Sequence, residues 1–280
     1  MAEELDEIRS ASVEEARAFR PGVRHYRSFV GSPKQYDVAS AAQFSLMTAL
    51  GLREDHRLLD IGCGSLCGGR LFIPYLKADR YHGIEPQQWL IDDGVRFEVT
   101  AEMQRLKRPR FRIADDFPIT EFGVQFDFML AHSVLTHVSP RQLDRCLSQA
   151  KLGLAPRGLF AASFYCDGEA DYAGEAWKYP DVASYAPGSV AARASEHGLV
   201  AHPFLWHNNY GHYWIVFAHH AHAESAAWLA NVAAEQSVLR ILALERALSE
   251  ANERLSQVKR RLEQANSELS TLRGEREPKS

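Results

Sequence analysis

The sequence has little cysteine and no second close cysteine pair. Cys63, Cys67, Cys146 and Cys166 are its four cysteines, and only the first two lie close together. A four-ligand zinc site needs a second close Cys/His pair, so this spacing argues against one. Reduced thiols in a cytoplasmic protein are the simple reading. Long apolar runs are also missing, which argues against a membrane-spanning helix. Residues 1–20 carry Glu3, Glu4, Asp6, Glu7, Glu14 and Glu15 and lack an apolar core, unlike a signal peptide. Nor is there an excess of positive charge. Lys and Arg number 32 against 36 Asp and Glu, a formal net charge of -4. With no basic stripe interleaved with aromatics, nucleic acid is not an expected partner.

What is present is a concentration of glycine after one short apolar run. In "HRLLDIGCGSLCGGRLF" (56–72), the run ends on Asp60 and is followed by Gly62, Gly64, Gly68 and Gly69. Each glycine costs backbone entropy on folding, so such a cluster implies a sharp turn or close approach of a ligand.

Periodicity organises the rest. Residues 1–20 read as a polar helix and 24–37, with Gly31, Ser32 and Pro33, as a loop. Residues 38–52 have helical apolar spacing and stop near Gly51. "RLLDIG", "RYHGIEP" (80–86), "RFRIADDF" (110–117), "QFDFMLAHSV" (125–134) and "GLFAASFY" (158–165) read as strands. Helices are expected from residue 67 to about Pro74, over 89–99, over 139–154 behind a Ser N-cap and a first-turn Pro, and over 189–199. Residues 166–189, rich in Gly, Asp, Tyr and Pro, read as an insertion. "LVAHPFL" and "HYWIVFA" are two more strands around the loop "WHNNYGH" (206–212).

Strands alternating with helices predict an α/β, Rossmann-like sheet, mostly parallel and covered on both faces. The last two strands lack a connecting helix, so the final one must run antiparallel. The glycine loop then lies at the carboxyl edge of the sheet, where ligands bind. Glu85, at the end of the second strand, is placed to accept hydrogen bonds from a ribose diol. A nicotinamide dinucleotide fold wants G-x-G-x-x-G/A, and here the last position is Cys67.

"LLDIGCG" instead resembles the first motif of class I S-adenosylmethionine-dependent methyltransferases. "YHGIEP", "IADDF" and "FDFMLAHSVLTHVS" resemble the family's following motifs, and the antiparallel last strand is its signature. The resemblance covers residues 36–218 and implies a seven-stranded sheet with S-adenosyl-L-methionine as cofactor. It implies that Gly62, Cys63 and Gly64 line the methionine portion, while Asp60 holds the loop or the amino group. Glu85 would bind ribose. Asp115 or Asp116 would reach the adenine, with Phe117 beside it, and Ala131, His132 and Ser133 would close the pocket. The chain departs from the family at Leu66, where the third motif glycine is expected.

Methyl transfer to a hydroxyl needs a base, and His132 and His137 follow the fourth strand at the carboxyl edge. A buried, satisfied histidine is the plain alternative for His137. The final loop, with His207, Asn208 and Asn209, and the aromatic insertion, with Tyr185, are candidates for binding the acceptor. A small hydroxylated acceptor such as a sugar, a glycan or a natural product fits best. No metal is expected: Asp115 and Asp116 are more economically placed near adenine, and "HHAH" (219–222) reads as a linker. The rival functions are a catalytically silent scaffold and a nicotinamide-dependent oxidoreductase.

The tail is a separate object. Ile241, Leu248, Leu255, Leu262 and Leu269 repeat every seven residues, with Leu244, Ala251, Val258, Ala265 and Leu272 three positions later. This is a coiled-coil seam. The expected organisation is an N-terminal segment 1–35, a methyltransferase domain 36–220 and a coiled-coil helix 221–275. Residues 225–273 are expected to pair copies of the chain.

Overall fold

The computed structural model describes residues 7–168, 170–206, 211–235, 249, 255–256 and 258–259. Strand β1 (Leu58–Ile61) buries all four of its residues, as a strand covered on both faces must. It pairs in parallel with β2 (Tyr81–Ile84) on one side and β4 (Phe126–Ala131) on the other. With β3 (Arg110–Arg112), β5 (Leu154–Phe164), β6 (Leu199–Phe204) and β7 (Tyr213–His219), these form a seven-stranded sheet in the order β3-β2-β1-β4-β5-β7-β6. Strand β7 runs antiparallel to both β5 and β6, as expected. Alternate strand residues enter opposite cores. Leu59, Met129 and Phe160 join one cluster, and Leu58, Leu130 and Leu159 join the other.

The helices covering the sheet are α1 (Tyr36–Ala49), α2 (Gly69–Tyr75), α3 (Gln88–Gly94), α4 (Ala101–Lys107), α5 (Pro140–Gly153) and α6 (Pro187–Glu196). Helix α3 runs on into a π-helical turn, Val95–Val99. Helix α5 begins with a complete capping box between Ser139 and Gln142, behind Pro140. Helix α4 was not expected from the sequence. None of its residues is buried, so it carries no apolar stripe to read.

The segment 24–37, expected to be a loop, contains a helical turn at Tyr26–Phe29. It is tied down by charge. The Arg27 guanidinium donates to Glu98 Oε1 at 2.5 Å with both side chains largely buried, and Arg70 bridges Glu98 and Asp37. Farther upstream, Arg9 makes a bidentate bond to the Asp93 carboxylate, 2.9 Å on each arm.

After β7, residues 223–235 are helical and bury Ala226, Ala230 and Ala233 in the core cluster of Leu130 and Leu159. The chain divides into two compact units, Met1–Ala234 and Glu235–Ser280. The first therefore extends beyond residue 220, because this helix contributes to its core. The heptad seam falls outside the described residues except for Leu255 and Val258, which are helical and exposed. Among the described residues, no helix is long and apolar enough to cross a membrane.

Candidate active site

A cavity of about 420 Å³ opens at the carboxyl edge of the sheet, beside β1 and β4, where the strand order reverses. Its floor is the loop after β1. Gly62 and Gly64 have φ of +67° and +52°, the left-handed region that favours glycine. A Cβ at Gly64 would lie 2.7 Å from Val30 Cγ1, and one at Gly62 would collide with Val134. Asp60, Gly62, Cys63 and Gly64 all line the cavity. Leu66, at the position where a glycine was expected, holds φ +62° and buries its side chain under the loop.

Two buried carboxylates sit at the strand ends. Asp60 accepts the Tyr81 hydroxyl at 2.7 Å. Burial pushes its pKa up to about 7, against the pull of that hydrogen bond. Glu85 accepts the N–H of Gly64 at 3.0 Å on one oxygen and that of Gln87 at 2.9 Å on the other. Burial raises its pKa as well, opposed by these two bonds. Asp115 and Phe117 line the cavity beyond β3. Asp116 does not: it is exposed and turns to Arg145 Nη2, 3.7 Å away. The chain bends at these two residues, and only the first of them reaches the cavity.

Past β4, His132 and Ser133 line the cavity, but Ala131 is packed wholly inside a core cluster. The Ser133 N–H donates to Ser163 Oγ at 2.8 Å, fixing the turn. The His132 ring stacks on Trp214, with centroids 5.5 Å apart and planes within 11°. Burial, then the nearby His212, lower its pKa to about 3. His137 also faces the cavity. Its Nδ1 lies 2.8 Å from the Asp181 carbonyl, which can only accept, so that nitrogen carries the proton. Burial lowers the His137 pKa too. Both imidazoles are therefore neutral near pH 7.

One expectation fails on burial. Tyr185 is a core residue whose hydroxyl donates to the Val138 carbonyl at 2.9 Å, and it does not reach the cavity. His207, Asn208 and Asn209 lie outside the described residues. Among the described residues, no group of three His, Cys, Asp or Glu side chains could hold a metal ion. In "HHAH", His219 accepts from Lys151 Nζ at 2.8 Å and donates to the Leu154 carbonyl at 3.1 Å, which ties the chain to the start of β5.

Sequence reasoning missed the roof. Arg27, Phe29 and Val30 line the cavity from the N-terminal segment, Tyr36 from the start of α1, and Trp177 and Tyr179 from the insertion. The two segments meet where the Tyr179 hydroxyl donates to the Phe29 carbonyl. The aromatic content of 166–189 was the only signal for this, and it could not tell Trp177 from Tyr185.

Residues 59–160 match the sequence profile of a family described as a methyltransferase domain. An uncharacterized methyltransferase of Schizosaccharomyces pombe is 28% identical over 90 residues, 31% of this chain. The match spans only 32% of the length of that curated relative. Among solved structures, the DhpI complex with SAH superposes with a TM-score of 0.50 at 16% identity, covering 76% of this chain and 97% of that one. Magnesium protoporphyrin IX methyltransferase from Synechocystis with bound SAM also gives 0.50, at 12% identity, covering 78% and 96%. The fold is that of the class I S-adenosylmethionine-dependent methyltransferases, and residues 59–160 carry the sequence signature of a methyltransferase domain.

Proposed function

We propose that the protein is an S-adenosylmethionine-dependent methyltransferase acting on a small hydroxylated acceptor, such as a sugar, a glycan or a natural product. The observation that carries this is Glu85. Each of its oxygens accepts one backbone N–H, and a carboxylate oxygen has two lone-pair sites. One site remains on each oxygen, the number a ribose diol needs. The rest of the donor set fits as well. Gly62 and Gly64 present bare backbone beneath the cavity, and Asp60 offers a buried carboxylate to a cationic amino group. The cavity volume lies within the range of small-molecule sites.

When bound, the cofactor supplies a methyl carbon activated by a sulfonium. This chain's residues would do the rest. Glu85 holds the ribose, Asp60 with Gly62, Cys63 and Gly64 holds the amino-acid end, and Asp115 with Phe117 holds the adenine. The roof from Phe29 to Tyr179 excludes water. Neutral His137 would take the acceptor's hydroxyl proton as the carbon–oxygen bond forms and the methyl–sulfur bond breaks, a contribution of about 10²–10⁴-fold for a placed base, and His132, with its pKa lowered to about 3, would be the weaker base of the two. Free thiols at all four cysteines support a cytoplasmic location. The heptad seam from Ile241 to Leu272 supports a homo-oligomer, whereas the start of the expected pairing stretch 225–273 is taken up by the chain's own core at Ala226, Ala230 and Ala233.

Thermal shifts with S-adenosylmethionine and with NAD test the cofactor. A ligand at 100 times its dissociation constant stabilises the fold by about 2.7 kcal/mol. A shift with NAD and none with S-adenosylmethionine would reverse the assignment. Release of S-adenosylhomocysteine in the presence of hydroxylated acceptors tests the reaction.

A further inference from the structure

The charged side chains of the cavity are confined to one part of it. Asp60 lies in β1, Glu85 and Asp115 follow β2 and β3, and Arg27 reaches in from the N-terminal segment, already paired with Glu98. The wall after β4 is different. There the rings of Phe29, Tyr179, His137 and Trp177 form a continuous chain. Successive centroids are 5.9 Å, 5.1 Å and 5.4 Å apart. Two of these rings are held by hydrogen bonds to backbone carbonyls, Tyr179 to Phe29 and His137 to Asp181. Trp177, at the end of the chain, is 45% exposed although it lines the cavity. A large ring left open to solvent at the mouth of a cavity has apolar area available for a ligand to cover. Gln142, at the start of α5, lines the cavity too and adds neutral hydrogen-bonding capacity.

We propose that this wall is the acceptor subsite, and that it selects an uncharged, hydroxylated ring that stacks on Trp177. The inference rests on the methyltransferase reading and narrows its acceptor. Among the described residues no Lys or Arg side chain lines this wall, and Lys178, next to Trp177, stands over the Tyr172 ring instead, so the desolvation of a carboxylate or phosphate there would go uncompensated. An uncharged ring loses little on leaving water and gains aromatic contact. A phenol and a pyranoside share this chemistry.

The test uses the full chain with S-adenosylhomocysteine present and four probes: catechol, methyl glucoside, and the carboxylate analogues protocatechuate and glucuronate. Binding is read as the tryptophan fluorescence change of wild type minus that of W177F, which isolates Trp177 from the other tryptophans. The expected result is saturable quenching by catechol or by methyl glucoside, at least tenfold tighter than its carboxylate analogue. Whichever neutral probe binds distinguishes the aromatic source from the sugar source. With S-adenosylmethionine, W177A should raise KM for that probe about tenfold with kcat within twofold, and W177F should recover most of the loss. Cofactor affinity should be unchanged in both variants. Tighter binding of the carboxylates, no binding of either neutral probe, or an unchanged KM in W177A would overturn the proposal. If S-adenosylhomocysteine itself fails to bind, the cofactor assignment falls. The same probes titrated without it then decide the ring subsite alone.

Discussion

The Glu85 carboxylate accepts the backbone N–H of Gly64 at 3.0 Å, so the end of β2 holds the glycine loop that follows β1. With the second bond from Gln87, one side chain both shapes the loop and offers lone pairs to a diol. Glu85→Ala should therefore weaken cofactor binding and also lower stability. A hydrogen bond to a charged group contributes about 1.5–3 kcal/mol. Glu85→Gln keeps one acceptor oxygen and should recover part of the stability with less of the affinity. Calorimetric titration with S-adenosylmethionine and thermal melts of both variants check this. Equal affinity in all three proteins would remove Glu85 from the cofactor site.

The loop is also tight against Val134. Gly62→Ala would set a Cβ against the Val134 side chain at a φ of +67°, so steric and backbone strain add. Overpacking of this kind costs about 1–3 kcal/mol. Val134→Ala in the same chain should relieve the contact but not the backbone strain, so the double variant should recover only partly. Denaturant unfolding of the four proteins measures the coupling.

Asp60 and His132 should give opposite pH dependences of stability in the cofactor-free protein. The folded pKa of Asp60 is raised from 3.8 to about 7, so its contribution is complete below pH 3.8 and is lost as pH rises through 7. The folded pKa of His132 is depressed from 6.5 to about 3, so its contribution is present above pH 6.5 and is lost as pH falls toward 3. Asp60→Asn should flatten the melting profile between pH 4 and 7, and His132→Gln should flatten the acid limb below 6.5. Melting temperatures across pH 3 to 8 test both. Parallel profiles for wild type and either variant would contradict the burial argument for that residue.

Truncation should depend on which side of the last buried alanine it falls. Ala226, Ala230 and Ala233 are buried in the core of the first unit. A chain ending at 235 should melt near the full-length temperature, whereas one ending at 222 should lose several degrees or fail to fold. In sedimentation, the full chain should run as an oligomer and the 235-residue chain as a monomer. If both are monomers, the seam does not pair copies of the chain.

Alternating apolar strands and helical stripes, legible in Leu58, Leu59 and Ile61 or in Leu143 and Leu147, determined the sheet, its helices and the reversed last strand. The reason is that core burial repeats with a period local to the chain. Asp60, Gly62, Gly64 and Glu85 were legible because strand ends and tight turns impose residue types. Which of Asp115 and Asp116 faces the cavity was decided only in three dimensions, by the bend of the loop after β3 and the approach of Arg145 to Asp116. Whether Tyr185 or Trp177 meets a ligand was decided by packing. Tyr185 fills a gap beside Val138, and Trp177 is carried to the mouth by a segment without periodicity. The roof from Arg27 to Tyr36 was equally out of reach, because its hold on the cavity depends on Glu98, 71 residues downstream. Contacts that distant in sequence leave no local pattern, and only the folded chain brings them together.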